Sequence, residues 1–267
     1  MAPPTQTSPP LASLTVDKFE QRPPAQRNAV DIFAGKWASD LTPIAPGVVA
    51  GAVPAFSNGI RMRDLAEAFG QGGRLDGMSV LELGPLEGGH TYHLERLGAA
   101  SILAIESNVE AYLKCLVTKE LAGLRNARFL LGDFVPYLET TAKRYDIVLC
   151  SGVLYHMAAP FRLIDALPRV TSKCFVWTHY YDAANYRGPP RRPVTDPARP
   201  GIEMYLHDHQ DRRLDTFWGG NKPVTMWLKR QDILDGFAAA GFDRVTVIDE
   251  DVANPNSACF AFTAERS

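Results

Sequence analysis

The chain has 267 residues, 46% of them hydrophobic, and a formal net charge of −2. That length holds one full α/β domain plus a cap or insertion, and the near-neutral charge gives no global electrostatic case for nucleic acid or a membrane surface as partner. No apolar run approaches the roughly 20 residues that cross a bilayer, the N-terminus has neither the charged start nor the leucine-rich core of a secretory signal, and Cys115, Cys150, Cys174 and Cys259 are scattered without a C-x-x-C pair. A cytoplasmic protein with reduced, packed cysteines and no metal site is expected.

Residues 1–26 carry Pro3, Pro4, Pro9, Pro10, Pro23 and Pro24 and read as a mobile arm. Residues 27–77 read as an N-terminal helical and lid segment. Arg27 to Phe33 starts a short helix, Trp37-Ala38-Ser39-Asp40 follows, residues 41–59 carry Pro and Gly throughout, and Arg61 to Phe69 has helical spacing. From residue 78 to 267 the pattern becomes that of a sheet domain, with apolar runs alternating with helical segments, of which Val109 to Leu121 and Phe161 to Val170 are the clearest. Such alternation implies parallel strands joined by right-handed crossovers.

The ends of the apolar runs carry the chemistry. Val80-Leu81-Glu82-Leu83 runs into Gly84-Pro85-Leu86-Glu87-Gly88-Gly89-His90 and then a helical stretch, Thr91 to Leu97. A strand, a tight glycine turn and a helix form the place where open α/β sheets hold nucleotide-like ligands. A dinucleotide fingerprint needs glycine two residues after Gly84, so that backbone can approach a pyrophosphate. Leu86 stands there, which favours a ligand without a diphosphate. Ser101 to Glu106 is a second apolar run, and Glu106, 22 residues after Gly84, is placed to accept from both ribose hydroxyls. Ala127 to Leu131 ends in Gly132-Asp133-Phe134, where Asp133 can accept from an adenine amine and Phe134 can pack on the base. Tyr145 to Cys150 leads into Ser151-Gly152-Val153-Leu154-Tyr155-His156. Together these ends describe a pocket for an adenosine that bears no phosphate.

In this set and order of motifs, from about Met78 to Val176 and again through the last strands, the chain resembles the class I S-adenosylmethionine-dependent methyltransferases. The resemblance implies a Rossmann-like α/β fold. Its sheet would be seven-stranded and mostly parallel, with helices on both faces and an antiparallel last strand. Beside it would stand the N-terminal lid and an insertion after strand five, with S-adenosyl-L-methionine as cofactor. It also implies cofactor contacts from Glu82, Gly84, Pro85 and Gly88 at the turn, Glu106 and Ser107 at the ribose, Gly132, Asp133 and Phe134 at the adenine, and Ser151, Gly152 and Tyr155 after the fourth strand. Trp37-Ala38-Ser39-Asp40 and Gly152-Val153-Leu154-Tyr155-His156 are further similar to motifs of the tRNA wobble-uridine carboxymethyltransferases, which implies that Trp37 and Tyr155 touch the cofactor. That family meets an extra carboxylate with cations. Here Thr42 stands where it has a lysine and Ser257 where it has an arginine, and a buried carboxylate without a cation is costly. Ordinary S-adenosylmethionine is therefore expected.

The segment from residue 179 to 229 is too long for a routine connection and reads as a substrate-facing insertion. Gln231 to Ala240, closed by Gly241, is a helix, and Arg244 to Ile248 and Ala258 to Thr263 are the final strands. A hydroxyl acceptor needs a base, and histidine suits that task near neutral pH. The candidates are His179, at the end of the fifth apolar run, Tyr155 beside the cofactor, and His207. The pair His207 and His209 with Asp208 and Asp211 reads as a polar loop sooner than a metal site. His90 and His93 read as helix-surface or capping residues, and His156 as lining the pocket or packing locally. Arg187, Arg191, Arg192 and Arg199 read as a solvated loop or as contacts to an acidic group. Tyr180, Tyr181, Tyr186, Tyr205, Phe217, Trp218 and Trp227 read as an enclosure for an aromatic or sugar-like acceptor or as the insertion's own core. The expected activity is methylation of a small molecule, most simply at oxygen with a histidine base. The alternatives are modification of a tRNA wobble uridine and a non-catalytic cofactor-binding module. A dehydrogenase is disfavoured by Leu86.

Overall fold

The computed structural model describes residues 19–186, 188, 191–208 and 223–267. In chain order its elements are α1 (Gln26–Asp31), α2 (Ile60–Phe69), β1 (Ser79–Leu83), α3 (Gly89–Arg96), β2 (Ser101–Glu106), α4 (Val109–Ala122), β3 (Ala127–Leu131), α5 (Phe134–Thr140), β4 (Ile147–Ser151), α6 (Pro160–Ala166), β5 (Lys173–His179), β6 (Arg192–Asp196), β7 (Arg199–Asp208), β8 (Val224–Trp227), α7 (Arg230–Ala239), β9 (Arg244–Asp251) and β10 (Cys259–Glu265). A 3-10 turn, Leu154–His156, follows β4. The main sheet has seven strands in the order β3-β2-β1-β4-β5-β10-β9. Strands β1 to β5 pair in parallel, and β10 runs antiparallel to both β5 and β9.

Alternation along the strands sorts the core into two layers, because successive side chains point to opposite faces. Leu81 and Leu83 of β1, with Val148 and Cys150 of β4, pack against α5, α6 and α7 through Leu138, Ile164 and Phe237. Val80 of β1, with Ile147 and Leu149 of β4, packs against α2, α3 and α4 through Met62, Leu65, Leu94 and Cys115. The strands are buried on both sides, which is why they read as near-continuous apolar runs. A third cluster lies outside the sheet. Val30, Phe33, Trp37, Leu41, Val48 and Phe56 form a small core around residues 30–56 and close on Leu121 of α4.

The strand order reverses between β1 and β4, so their carboxyl ends diverge and leave a crevice, the usual ligand position in open α/β sheets. Within the insertion, His207 lies on a strand and not in the polar loop expected of it. The insertion holds an antiparallel sheet in the order β6-β7-β8, with Tyr205 opposite Trp227 and His207 opposite Thr225. β6 and β7 include Pro193, Pro200 and Gly201, which mask the alternation by which strands are recognised. No helix among the described residues is long and apolar enough to cross a membrane.

Candidate active site

A cavity of about 520 Å³ occupies the crevice, a size suited to a small ligand. The turn after β1, the ends of β2, β4 and β5, the starts of α4 and α5, residues 53–61 and the β9–β10 loop all line it.

At one end Glu106 is held by main chain. One carboxylate oxygen accepts from the Leu86 N–H at 3.0 Å and the other from the Asn108 N–H at 2.8 Å. Each oxygen keeps a second acceptor position, so the pair presents two, as vicinal hydroxyls require. Asn108 caps α4 by accepting from the Ala111 N–H at 2.9 Å, and Asp133 caps α5 by accepting from the Val135 N–H at 2.9 Å. Asp133, Phe134, Ser107 and Asn108 all face the cavity.

The β1 turn forms the middle. Gly84 has a φ of +66°, and a Cβ there would lie 2.7 Å from Cγ1 of Val153, so only glycine lets the turn pass under the residues after β4. Leu86 has a φ of +57°, the left-handed region that glycine enters freely. Glu87 is buried, and its carboxylate accepts from the Ala38 N–H at 3.1 Å, the Ser39 N–H at 2.8 Å and the Lys114 ammonium at 3.1 Å. It ties the N-terminal segment to the turn. Glu82 lies beneath, 1% exposed. One of its oxygens accepts from the Thr91 hydroxyl, and the other, Oε1, has no hydrogen-bond partner. Burial pushes its carboxyl up to about 7 and pulls the neighbouring His90 imidazole down to about 3.

Aromatic rings make the other end. Tyr155 lies 4.8 Å from His179 and 6.1 Å from Trp177 between ring centroids, and His179 stacks on Trp227 at 5.6 Å with an interplanar angle of 8°. Nδ1 of His179 is 2.9 Å from the carbonyl oxygen of Ser257. A carbonyl only accepts, so Nδ1 carries the proton and Nε2 is left as a lone pair. Burial holds the imidazole below its ordinary value, and the nearby Arg61 and Arg191 add to that against the opposing carbonyl contacts. The Arg61 guanidinium lies 3.7 Å over the Trp177 ring, and Arg191 lies 3.6 Å over Trp227.

Most residues marked from the sequence converge. Gly84, Pro85, Glu106, Ser107, Asp133, Phe134, Ser151, Gly152, Tyr155 and His179 line the cavity, as do His90 and His156. Glu82 stands behind the turn, not on the cavity wall. Gly88 faces Thr118 of α4, where a Cβ would meet Cγ2 at 3.2 Å, and it serves the turn. Gly132 lies just outside the lining. Trp37 is placed differently from the expectation. It is buried in the cluster of residues 30–56, edge-on to Phe33, with its indole N–H donated to the Val30 carbonyl at 2.9 Å. Ser39, two residues on, lines the cavity instead. His207 lies on β7, stacked on Trp227 at 5.8 Å, one ring removed from His179. Among the described residues no group of three or more His, Cys, Asp or Glu could hold a metal ion. Arg187, His209, Asp211, Phe217 and Trp218 lie outside the described residues. Sequence reasoning missed Arg61, Asn254 and Asn256, all of which line the cavity. It also missed the Leu86 amide and the stack of Trp227 on His179.

No family model matches the chain. A curated relative, the tRNA U34 carboxymethyltransferase of Desulfotalea psychrophila (strain LSv54 / DSM 12343), is 29% identical over 94 residues, 35% of this chain and 29% of that protein. The matched stretch therefore spans less than a third of the relative. Among solved structures, the N-terminal domain of EvdMO1, crystallised in the presence of S-adenosylhomocysteine (SAH) and D-fucose, superposes with a TM-score of 0.68 at 24% identity, covering 91% of this chain and 95% of that one. The chain has the class I methyltransferase fold. The same fold appears in magnesium protoporphyrin IX methyltransferase (ChlM) from Synechocystis PCC 6803 with bound SAH, at a TM-score of 0.53 and 14% identity over 91% of this chain and all of that one.

Proposed function

We propose that the chain is an S-adenosylmethionine-dependent methyltransferase that methylates a hydroxyl of a small molecule, with His179 as general base. The observation that carries this reading is one continuous cavity. It joins a carboxylate with two spare acceptor positions, Glu106, to a neutral histidine whose unprotonated nitrogen is fixed by the Ser257 carbonyl. The EvdMO1 domain and ChlM, both solved with SAH, support the choice of cofactor.

The residues fit an adenosyl amino acid. Glu106 would take the ribose hydroxyls, and Asp133 with Phe134 the adenine. The hydroxyl of Ser151, buried without a partner on the cavity wall, offers a further contact. When bound, S-adenosylmethionine supplies a methyl group activated on a sulfonium, displaced in line with the electron pair of the broken bond going to sulfur. Much of the remaining work is positioning. Nε2 of His179 takes the acceptor's proton. Tyr155 stays a neutral phenol because burial raises its pKa, so it orients the acceptor and is not the base. Rings on several sides exclude water from the reacting centre.

Calorimetry with SAH tests the cofactor half, and a low-micromolar Kd is expected. Absence of binding at high micromolar concentration overturns the reading. A product-mass screen with isotopically labelled cofactor over metabolite fractions then identifies the acceptor. The resemblance to a tRNA-modifying enzyme motivates a second reading. Thr42 hydrogen-bonds to Asp40, and buried Ser257 donates its hydroxyl to the Tyr180 carbonyl, so neither position supplies a cation for an extra carboxylate. Salt-dependent retention of total tRNA on a filter would favour this second reading.

A further inference from the structure

Arg61 is the charged group of the cavity that the proposed chemistry leaves unused. It stands one residue into α2, on the cavity side of a helix whose Met62, Leu65, Ala66 and Phe69 are buried in the core. Its guanidinium stacks on Trp177, which occupies one face and leaves the N–H edge open. Among the described residues no hydrogen bond or ion pair joins Arg61 to the rest of the protein. The cavity's carboxylates are engaged elsewhere, Glu87 by Lys114 and two amides, Glu106 by two amides, and Asp133 at the α5 cap. The groups that face the guanidinium from α3, the turn after β4 and β5 are His90, Tyr155 and His179, all neutral near pH 7. Among the described residues the one carboxylate with an electrostatic influence on the guanidinium is Asp249, without a hydrogen bond or ion pair between them. A partly desolvated guanidinium without a counter-ion is costly, and a sulfonium beside it adds a second positive charge.

The strand order says which side of the cavity this charge serves. Glu106 ends β2 and Asp133 follows β3, on one side of β1. Arg61 packs on β5 and senses Cys259 at the start of β10, on the far side of β4. We propose that Arg61 is a specificity-determining residue that binds a carboxylate on the acceptor, so that the substrate is a hydroxylated acid and not a neutral alcohol. This rests on the methyltransferase reading and names the substrate class of the same site. Arg61 and His179 both pack against Trp177, His179 at 5.0 Å between centroids. A carboxylate anchored edge-on by Arg61 therefore presents a nearby hydroxyl to Nε2 of His179. Asn254 and Asn256 add polar groups at this end of the wall.

The test uses the full chain with SAH and two isosteric probes, benzoate and benzamide, with binding read by calorimetry and ligand-observed NMR. Benzoate is expected to bind the SAH-loaded protein at least about tenfold tighter than benzamide, as a charge-assisted pair predicts. Arg61→Met should erase that preference and Arg61→Lys should keep part of it, with thermal unfolding confirming that both variants fold. Benzoate binding no tighter than benzamide overturns the proposal. A carboxylate of the cofactor is the rival source of the same chemistry. If Arg61→Met weakens SAH itself about tenfold or more, Arg61 serves the cofactor and the acceptor assignment falls. Failure of the wild-type protein to bind SAH sinks the methyltransferase reading instead, and the benzoate preference of the unloaded protein is then read by itself.

Discussion

Between Glu106 and Asp133 the cavity wall is made of carboxylates that backbone N–H groups hold in place. Between Tyr155 and Asn256 it is made of rings and the Arg61 guanidinium, which hold one another. The first construction is local. Glu106 is fixed by amides two residues ahead of it and at the neighbouring turn, and Asp133 by an amide two residues on. The second draws Arg61 from α2, Tyr155 from the turn after β4, His179 from β5, Trp227 from β8 and a carbonyl from the loop before β10. A half of the wall assembled from five segments can be retuned one residue at a time, as a site for the changing partner needs.

The largest expected effect falls on the ring side. His179→Ala should lower kcat by about 10²–10⁴-fold, the usual worth of a positioned base, while the SAH Kd stays within about twofold. Because burial and two arginines hold the imidazole below its ordinary value, kcat should be flat through neutral pH and fall only as pH drops through that depressed value. Unchanged turnover in His179→Ala, or an acid limb above the ordinary imidazole range, removes His179 from the mechanism.

Glu82 tests the floor beneath the local side. Its carboxyl is raised to about 7 in the fold against an ordinary value of 4.5, so the folded state holds a proton that the unfolded chain has lost. That contribution is present below pH 4.5 and is lost as pH rises through 7. His90 acts with the opposite sign. Its imidazole is lowered to about 3 from 6.5, so its contribution is present above pH 6.5 and is lost as pH falls toward 3. Urea titrations of Glu82→Gln and wild type share the His90 effect, and their difference isolates Glu82. It should be small at pH 5 and grow to about 3 kcal/mol in the variant's favour at pH 8. A difference that does not change with pH places an ionised carboxylate in the fold and removes the neutral form.

Glu106→Gln comes next. The amide side chain keeps the shape but turns one acceptor into a donor facing the Leu86 or Asn108 N–H. Two charge-assisted contacts to ribose would also weaken. SAH affinity should fall by about ten- to a hundredfold, with kcat at saturating cofactor nearly unchanged. A loss in kcat with the Kd preserved would move Glu106 away from the cofactor.

The same contrast explains what could be read from the sequence. Strand ends were legible because a doubly buried strand leaves a continuous apolar run, and the first polar residue after it stands at the rim of the sheet. Glu106, Asp133 and His179 were all found that way. Arg61 was not. The pattern of α2 shows which face Met62 and Leu65 bury, but not that a cation on its flank lies over a tryptophan 116 positions later. The stack of Trp227 on His179 and the contact of the Ser257 carbonyl were hidden for the same reason, since they exist only in three dimensions. Trp37 shows the reverse error. Similarity of a short motif implied a cofactor contact, whereas a large ring beside Val30 and Phe33 gains more by packing into the small core of its own segment.

Leu86 carries the smallest expected effect. By sequence it separates this turn from a diphosphate fingerprint, yet its φ of +57° is the conformation that a glycine would supply. The left-handed backbone costs a leucine about 1–2 kcal/mol. Leu86→Gly relieves that cost but gives up a half-buried side chain and adds about 0.5–1 kcal/mol of chain entropy to the unfolded state, so its stability should stay within about 1 kcal/mol of wild type. Leu86→Ala keeps the strain and loses most of the packing, and should be about 1 kcal/mol less stable than the glycine variant. Both retain the N–H that Glu106 accepts from, so SAH should bind both within about threefold of wild type. Equal stability of the two variants would mean that position 86 is not left-handed in solution. The contact that links the β1 turn to Glu106 would then have a different geometry.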